Sequence, residues 1–404
     1  MIENATVIDA TFVLSTPLFV ANDAPSTARV FSLTAFKGAL RYWWRALMWS
    51  EHEDLTSLRR EEEHIFGSAS HGPGAFSMHL VPPENLNLID DALAVALKSR
   101  SSPEGLQYLG HGLWNRERLH RKRRRDEATL PLAKPCLANS PETEYLVRFL
   151  VHDRRSNDAR LSSLCGAIKA LGLMGGMGSR ARRGFGSLTL TGLTVAGEVM
   201  YRPPQNMDSF THEIGSLVSA GSRPAEYAAF DSRSRVIALA GEPGESSLEL
   251  LDRLGRELLA YRSWGLRGMV LGRRSEKNFR DDHDLMNSVV RGRRTASHPR
   301  RVAFGLPHNY YFSSLKSGTS VAGESTERRA SPLWLHIHRF DEHPPMAVLS
   351  FLPGTFLPPG EKLKVGRSRV DIGDKDFWKP VEDFLDRLVT GTGVEDFQEV
   401  REIC

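Results

Sequence analysis

Hydrophobic and polar positions change their period along this chain, and the changes mark its elements. Residues 6–14 alternate: Ile8, Ala10, Phe12 and Leu14 fall on one side, and Asp9, Thr11 and Val13 on the other. That two-residue period predicts a strand. Pro17 and Pro25 punctuate the loop that follows. Residues 34–49, TAFKGALRYWWRALMW, switch to helical spacing, with Phe36, Leu40, Trp43 and Leu47 in one apolar stripe. Lys37, Arg41 and Arg45 step by four along a second stripe, and Trp44 and Met48 lie beside them. This predicts a helix that buries one face and presents cations and an aromatic ring on another. Gly38 within it costs about 1 kcal/mol against alanine, so a packing or close-approach reason is expected there.

Strand character returns at 75–81 and 144–151, helical spacing at 159–173 (Leu161, Leu164, Ile168, Leu171), and strand alternation again in FGSLTLTGL. The order strand, helix, strand, strand, helix, strand is that of a ferredoxin-like βαββαβ unit. A second cycle starts with a strand at 235–240 and a helix at 247–264. It continues with strands at 300–307, 332–338 and 346–353, a helix at 376–391, and a last strand within 394–400. The expected fold is therefore α+β, with tandem ferredoxin-like domains carrying insertions. The first domain is placed at 1–195, with a basic insertion at about 97–143. A linker or irregular crossover follows at 196–234, and the second domain at 235–404 has a basic insertion at about 265–300. A chain of 404 residues suits two domains.

Charge sharpens this outline. Net charge is only +4, yet the isoelectric point is about 9.0, so distribution matters more than total. Residues 116–125 hold seven Lys or Arg against one Glu, and nine against four acids fall between Arg273 and Arg301. Such clustering points to a polyanion partner more than to a small acidic substrate. Cys136, Cys165 and Cys404 form no CxxC pair, which leaves no cysteine-based zinc site and suits a reducing compartment. The N-terminal stretch lacks a basic region and a long apolar core, so no secretion signal is expected and the predicted location is cytoplasmic.

The densest signal is GLMGGMGSRARRGFGSL at 172–188, with six glycines, three arginines and no acid. Glycines permit positive φ and leave no Cβ to hold a ligand away. Exposed amides in such a loop can form an anion nest, and Arg180, Arg182 and Arg183 add bidentate phosphate contacts. No GK[ST] completes a P-loop, and the run from helix into strand excludes a dinucleotide loop. Phe185 either stacks on a base or enters the core. Set beside the basic, aromatic helix, the loop predicts a groove for single-stranded RNA, with Trp43 in the core and Trp44 stacking.

Catalytic candidates are weaker. Asp281, Asp282, His283 and Asp284 sit too close in sequence to converge on a metal, and capping of a following helix is the expected use. His336 and His338 share one strand face and are expected on an exposed sheet surface. Asp23, after the first strand, would polarise a ribose hydroxyl only with a metal present. No cofactor and no metal are expected. An endoribonuclease using a histidine or Asp23 stands as the alternative to a binding protein.

TPLFVANDAPSTARVFSLTAFKGALRYWWRAL, IFGSASHGPGAFSM, GLQYLGHG and LMGGMGSRARRGFGSL together resemble the RAMP superfamily, and within it the first RAMP subunit of type III-B CRISPR (Cmr) effector complexes. RRVAFGLP, RRASPLWLHIHR and FLPGTFLP resemble its C-terminal half. The resemblance implies two RRM-like, ferredoxin-like folds and a non-catalytic subunit in antiviral defence. Such a subunit holds the 3′ region of the CRISPR RNA, helps capture target RNA, and contacts other RAMP subunits. It implies RNA-binding roles for Lys37, Gly38, Arg41, Trp44 and Arg45 on the helix. It implies the same for Gly175, Gly176, Gly178, Arg180, Arg182, Arg183, Gly184 and Gly186 in the loop. Target cleavage in such complexes belongs to a different, repeated RAMP subunit, and the loop around Asp23 lacks the rest of that subunit's pattern. The alternative it leaves is a RAMP-type endoribonuclease that processes repeat RNA.

Overall fold

The computed structural model describes residues 5–19, 31–83, 85–95, 102–121, 129–152, 157–265, 267–373 and 376–404. The first half builds β1 (Ala5–Leu14), α1 (Leu33–Met48), α2 (Leu55–Phe66), β2 (Phe76–Val81), α3 (Glu104–Leu109), β3 (Glu144–His152), α4 (Asp158–Met174) and β4 (Leu188–Val195). An edge strand β5 (Glu198–Tyr201) and a helix α5 (Met207–Leu217) follow. The sheet is antiparallel in the order β5-β4-β1-β3-β2. Alternation in β1 decides its inner face: Ile8, Ala10 and Phe12 are fully buried, with Ile8 opposite Phe149 and Phe12 opposite Tyr145 on β3. The stripe Phe36, Leu40, Trp43 and Leu47 of α1 is buried against that face, as the spacing predicts.

The second half builds β6 (Arg235–Ala240), α6 (Ser247–Arg262), α7 (Arg280–Val290), β7 (His308–Phe312), β8 (Ser317–Gly323), β9 (Leu333–His338), β10 (Met346–Phe351), β11 (Leu363–Val365), β12 (Ser368–Val370), α8 (Lys379–Val389) and β13 (Val400–Glu402). Its main sheet runs β9-β10-β6-β13, and β7-β8-β11-β12 form a separate sheet. All these pairings are antiparallel, so the chain is α+β.

Four expectations change. Residues 196–234, read as a linker or irregular crossover, hold β5 and α5, and Phe210 and Ile214 of α5 are fully buried. Residues 300–307 form a short 3₁₀ turn over Arg300–Phe304 and no strand. The basic insertion is partly core: Leu106, Leu109, Leu113 and Trp114 join the cluster beneath α6, where Gly105 and Gly255 pack backbone to backbone. Arg118 is paired with Asp91 at 2.7 Å, while residues 122–125 lie outside the described residues.

The fourth change concerns His336 and His338, which are fully buried. The reason is that β9 and β10 are covered on both faces. Leu333, Leu335 and Ile337 join the cluster of α6 and α8, while Trp334 joins the core of the first half. A strand buried on both sides reads as near-continuous apolar sequence, and LWLHIH carries its histidines on the covered inner face. No group of three or more His, Cys, Asp or Glu among the described residues is placed to hold a metal. No helix among them is long and apolar enough to cross a membrane.

Candidate nucleic-acid interface

The glycine–arginine loop starts where α4 ends. Gly175 caps that helix through its N–H to the Leu171 carbonyl, and its own carbonyl accepts from His336 Nδ1 at 2.6 Å. Several further amides of the loop are consumed inside the protein. Met177 N donates to Gly186 O at 3.0 Å, Ser179 N to Phe19 O at 2.9 Å, and Gly186 N to Pro17 O at 2.9 Å. These amides are not available to an anion. The loop's glycines serve close packing instead: a Cβ at Gly175 would strike the Trp43 indole, and one at Gly184 would strike Leu251. Gly178 and Gly186 also need the left-handed backbone, at φ +85° and +64°. Phe185 is fully buried, edge-on to Phe19 and Trp114.

With the glycines turned inward, the arginines face out. A turn closed by Arg183 N on Arg180 O, at 2.8 Å, carries Arg180, Arg182 and Arg183 into a cleft of about 1040 Å³. Across it stand Arg328 and Arg329, and Arg262 lies at its floor. Tyr42, Tyr108, Phe304 and Trp334 supply aromatic walls, and His111 and His308 line it too. No Asp or Glu is among the described residues of the lining. Elsewhere the protein pairs its sheltered arginines: Arg387 with Glu257 and Glu276, Arg256 with Glu104 and Glu395. The cleft arginines have neutral partners. Arg182 donates to Ser331 O at 2.6 Å and stacks between Tyr42 and Trp334 at 4.8 and 4.7 Å. Arg329 donates to Thr355 O at 2.8 Å, and Arg180 donates to His111 O. Six guanidiniums with no carboxylate among the described residues of the lining make a strongly positive cleft.

The helix behaves differently from its expected role. Trp44 is fully buried, its Nε1 bonded to Ser163 Oγ at 3.0 Å, so it has no face free for a base. Glu62 of α2 takes the cation stripe: Arg41 is bonded to it and Arg45 lies 3.7 Å away. Lys37 sits over the Phe76 ring at 5.4 Å, and burial lowers its pKa. Gly38 is exposed, and a methyl group placed on its Cα would meet nothing within 4 Å, so packing supplies no reason for it. The helix residue that reaches the cleft is Tyr42, with Arg45 beside a smaller neighbouring cavity. Asp281, Asp282 and Asp284 lie within α7; Asp282 accepts from the amides of Arg300 and Arg301, both at 2.8 Å. Asp23 lies outside the described residues. Tyr42, Arg262, Arg328, Arg329 and Trp334 were absent from the expected site. Arg328–Arg329 directly before the β9 run was the available signal.

The tie between the loop and β9 predicts a pH dependence. Burial pushes the His336 pKa down from 6.5 to about 4. The unfolded chain therefore binds a proton between about pH 6.5 and pH 4 that the folded chain refuses. Stability is full above that window and falls through it by about 3 kcal/mol. His338 is pushed in the same direction by burial. His336→Asn keeps an amide donor for Gly175 O, and its melting temperature is expected to fall less between pH 7.5 and pH 5 than the parent's.

The model of the RAMP superfamily matches residues 11–189. The crystal structure of Cmr1 from Pyrococcus furiosus in its apo form is 16% identical, with 98% of this chain and 98% of that chain covered and a TM-score of 0.54, which shows a shared fold. A chain of the type III-B Cmr-beta complex bound to cognate target RNA is 10% identical, covering 95% and 99%, with a TM-score of 0.47. Cmr6 from Pyrococcus furiosus is 15% identical, covering 47% of this chain and 99% of that one, with a TM-score of 0.26. No curated protein matches the chain.

Proposed function

We propose, from the match of the RAMP superfamily model to residues 11–189, that the protein is a non-catalytic RNA-binding subunit of a type III-B CRISPR effector complex. It holds the 3′ region of the CRISPR RNA and helps capture target RNA, beside other RAMP subunits. Each half of the chain is a ferredoxin-like unit in this reading, and the cleft between them is the RNA path. The observation that carries the proposal is a cleft with no Asp or Glu among the described residues of its lining, in which Arg180, Arg182, Arg183, Arg328 and Arg329 stand beside Tyr42 and Trp334. Arginines meet phosphates in pairs of parallel hydrogen bonds, and the stack of Arg182 on Tyr42 and Trp334 holds its guanidinium in place for them. The likeness of fold to Cmr1 over nearly the full length of both chains supports the placement within such a complex.

The test is to isolate the tagged protein from its native cell and sequence the RNA that accompanies it, with its protein partners identified alongside. Short RNAs sharing a repeat-derived 5′ tag, together with other RAMP subunits, are expected. Heterogeneous RNA or none, with no RAMP partner, would sink the reading.

A further inference from the structure

The floor of the cleft is built differently from its rim. Arg262, the last residue of α6, is only 7% exposed. Its Nη1 donates to Tyr108 Oη at 3.0 Å and its Nη2 to His308 Nε2 at 3.1 Å. Its guanidinium stacks on Phe304 at 4.4 Å, and its Nε is buried without a partner. A guanidinium carries five N–H donors, so most of its bonding capacity is unspent. Arg183 arrives beside it from the glycine loop and shares Tyr108. Among the described residues neither Arg183 nor Arg262 has a carboxylate partner, whereas neighbouring Arg301 has Asp282 at 3.5 Å.

Holding Arg262 out of water, with the half-buried Arg183 beside it and no anion, is costly. Packing alone gives no return for that cost, since a neutral side chain would fill the same floor. An anion from outside the chain would offset it. Its charge follows from counting. His308 accepts from Arg262 at Nε2, so its proton sits on Nδ1 and the ring is neutral. Burial and the guanidiniums of Arg262, Arg301 and Arg183 hold its pKa well below the ordinary value, in agreement. Asp282 offsets Arg301. Two uncompensated charges remain. A phosphodiester brings one negative charge, whereas a phosphomonoester brings about 1.5 to 2 at neutral pH.

We propose that Arg183 and Arg262, with Tyr108 and His308 holding Arg262 in place, form a socket for a phosphomonoester, set below the rim that meets the diester backbone. The group comes from the phosphorylated end of an RNA strand or from a free nucleotide. The proposal rests on the reading of this cleft as an RNA path, and its test separates the two.

The full-length protein, freed of nucleic acid, is titrated calorimetrically with one short RNA in three forms: hydroxyl at both ends, phosphate at the 5′ end, and phosphate at the 3′ end. Adenosine and AMP form a further pair. One phosphorylated strand is expected to bind about tenfold or more tightly than the hydroxyl-ended strand. In Arg262→Gln that ratio is expected to fall to near one, and in Arg262→Lys part of it is retained. Thermal melts check that both variants are folded. A gain for AMP over adenosine without any gain for a strand end identifies the free nucleotide as the source and supports the socket. If it occurs while no strand binds, the socket stands and the RNA reading falls. Strands that bind equally well with and without a terminal phosphate, with AMP no better than adenosine, overturn the socket and leave the RNA reading intact. A phosphate preference that persists in Arg262→Gln, with all strands weakened alike, overturns it too.

Discussion

Changing Arg180, Arg182 and Arg183 together to alanine is expected to weaken single-stranded RNA binding by about 100-fold or more at near-physiological salt. Charge-assisted hydrogen bonds contribute about 1.5–3 kcal/mol each, and three are removed from one wall of a cleft whose lining has no acid among its described residues. The salt dependence should change with the affinity. Each neutralised phosphate of a single strand contributes about 0.7 to the slope of log affinity against log salt, so the slope should shrink by about 2. Replacing the same three with lysine keeps the charge and most of the slope, but loses the fork geometry and with it part of the affinity. Trp44→Phe is the contrast: the indole is buried against Phe66 and Ser163, so stability is expected to drop while the RNA isotherm stays put. Titrations at several salt concentrations, with melts of each variant, decide the matter. Undiminished affinity in the triple alanine variant would remove the loop from the interface.

How much of this was legible in the sequence depends on which elements touch. Period-two and helical spacing place β1, α1, β3, α4 and β6 within a few residues, because each of those patterns is written along one element. The loop at 172–188 is also legible as a site, since its glycines and arginines are contiguous. The purpose of the glycines is not. They are required by Trp43, Leu251 and the Leu18–Phe19 segment, none of which is near them in sequence. The second face of α1 misleads for the same reason. Its cations look free until α2 brings Glu62 and Phe66 against them, which neutralises Arg41 and buries Trp44. LWLHIH misleads because alternation reports one covered face, and here the second half of the chain lays the other face on the first core. Arg262, at the end of a helix, and Arg328 and Arg329, ahead of a strand, carry no local pattern that joins them to the loop. Packing of the two halves brings them to one cleft.

That packing hinges on Phe185, and Phe185→Ala is expected to be the most damaging single change in the loop. The ring is fully buried between Phe19, at 5.6 Å, and Trp114, at 5.8 Å. Phe19 follows the first strand, Trp114 belongs to the insertion, and the same cluster continues into Leu250, Leu251 and Leu254 of α6. Three separate stretches of chain thus lose a shared partner. Truncation of a core phenylalanine costs about 3–5 kcal/mol through lost transfer energy and the cavity it leaves. The upper part of that range is expected, since collapse would have to move all three at once. Phe185→Leu refills most of the space and should cost clearly less. Gly186→Ala attacks the same junction through the backbone: φ is +64°, and a Cβ there would run into the Met177 carbonyl. Because Gly184 and Gly186 flank Phe185 and the arginines precede it directly, both changes should also blur the positions of Arg182 and Arg183. RNA affinity should then fall in the variant that melts lowest. Urea unfolding of Phe185→Ala, Phe185→Leu and Gly186→Ala, each followed by RNA titration below its transition, would show the two quantities falling together. A Phe185→Ala protein as stable as the parent would mean that the loop is not the keystone between the halves, and that the arginines are aligned by Arg182's stack on Tyr42 and Trp334 and by their hydrogen bonds to Ser331 and His111.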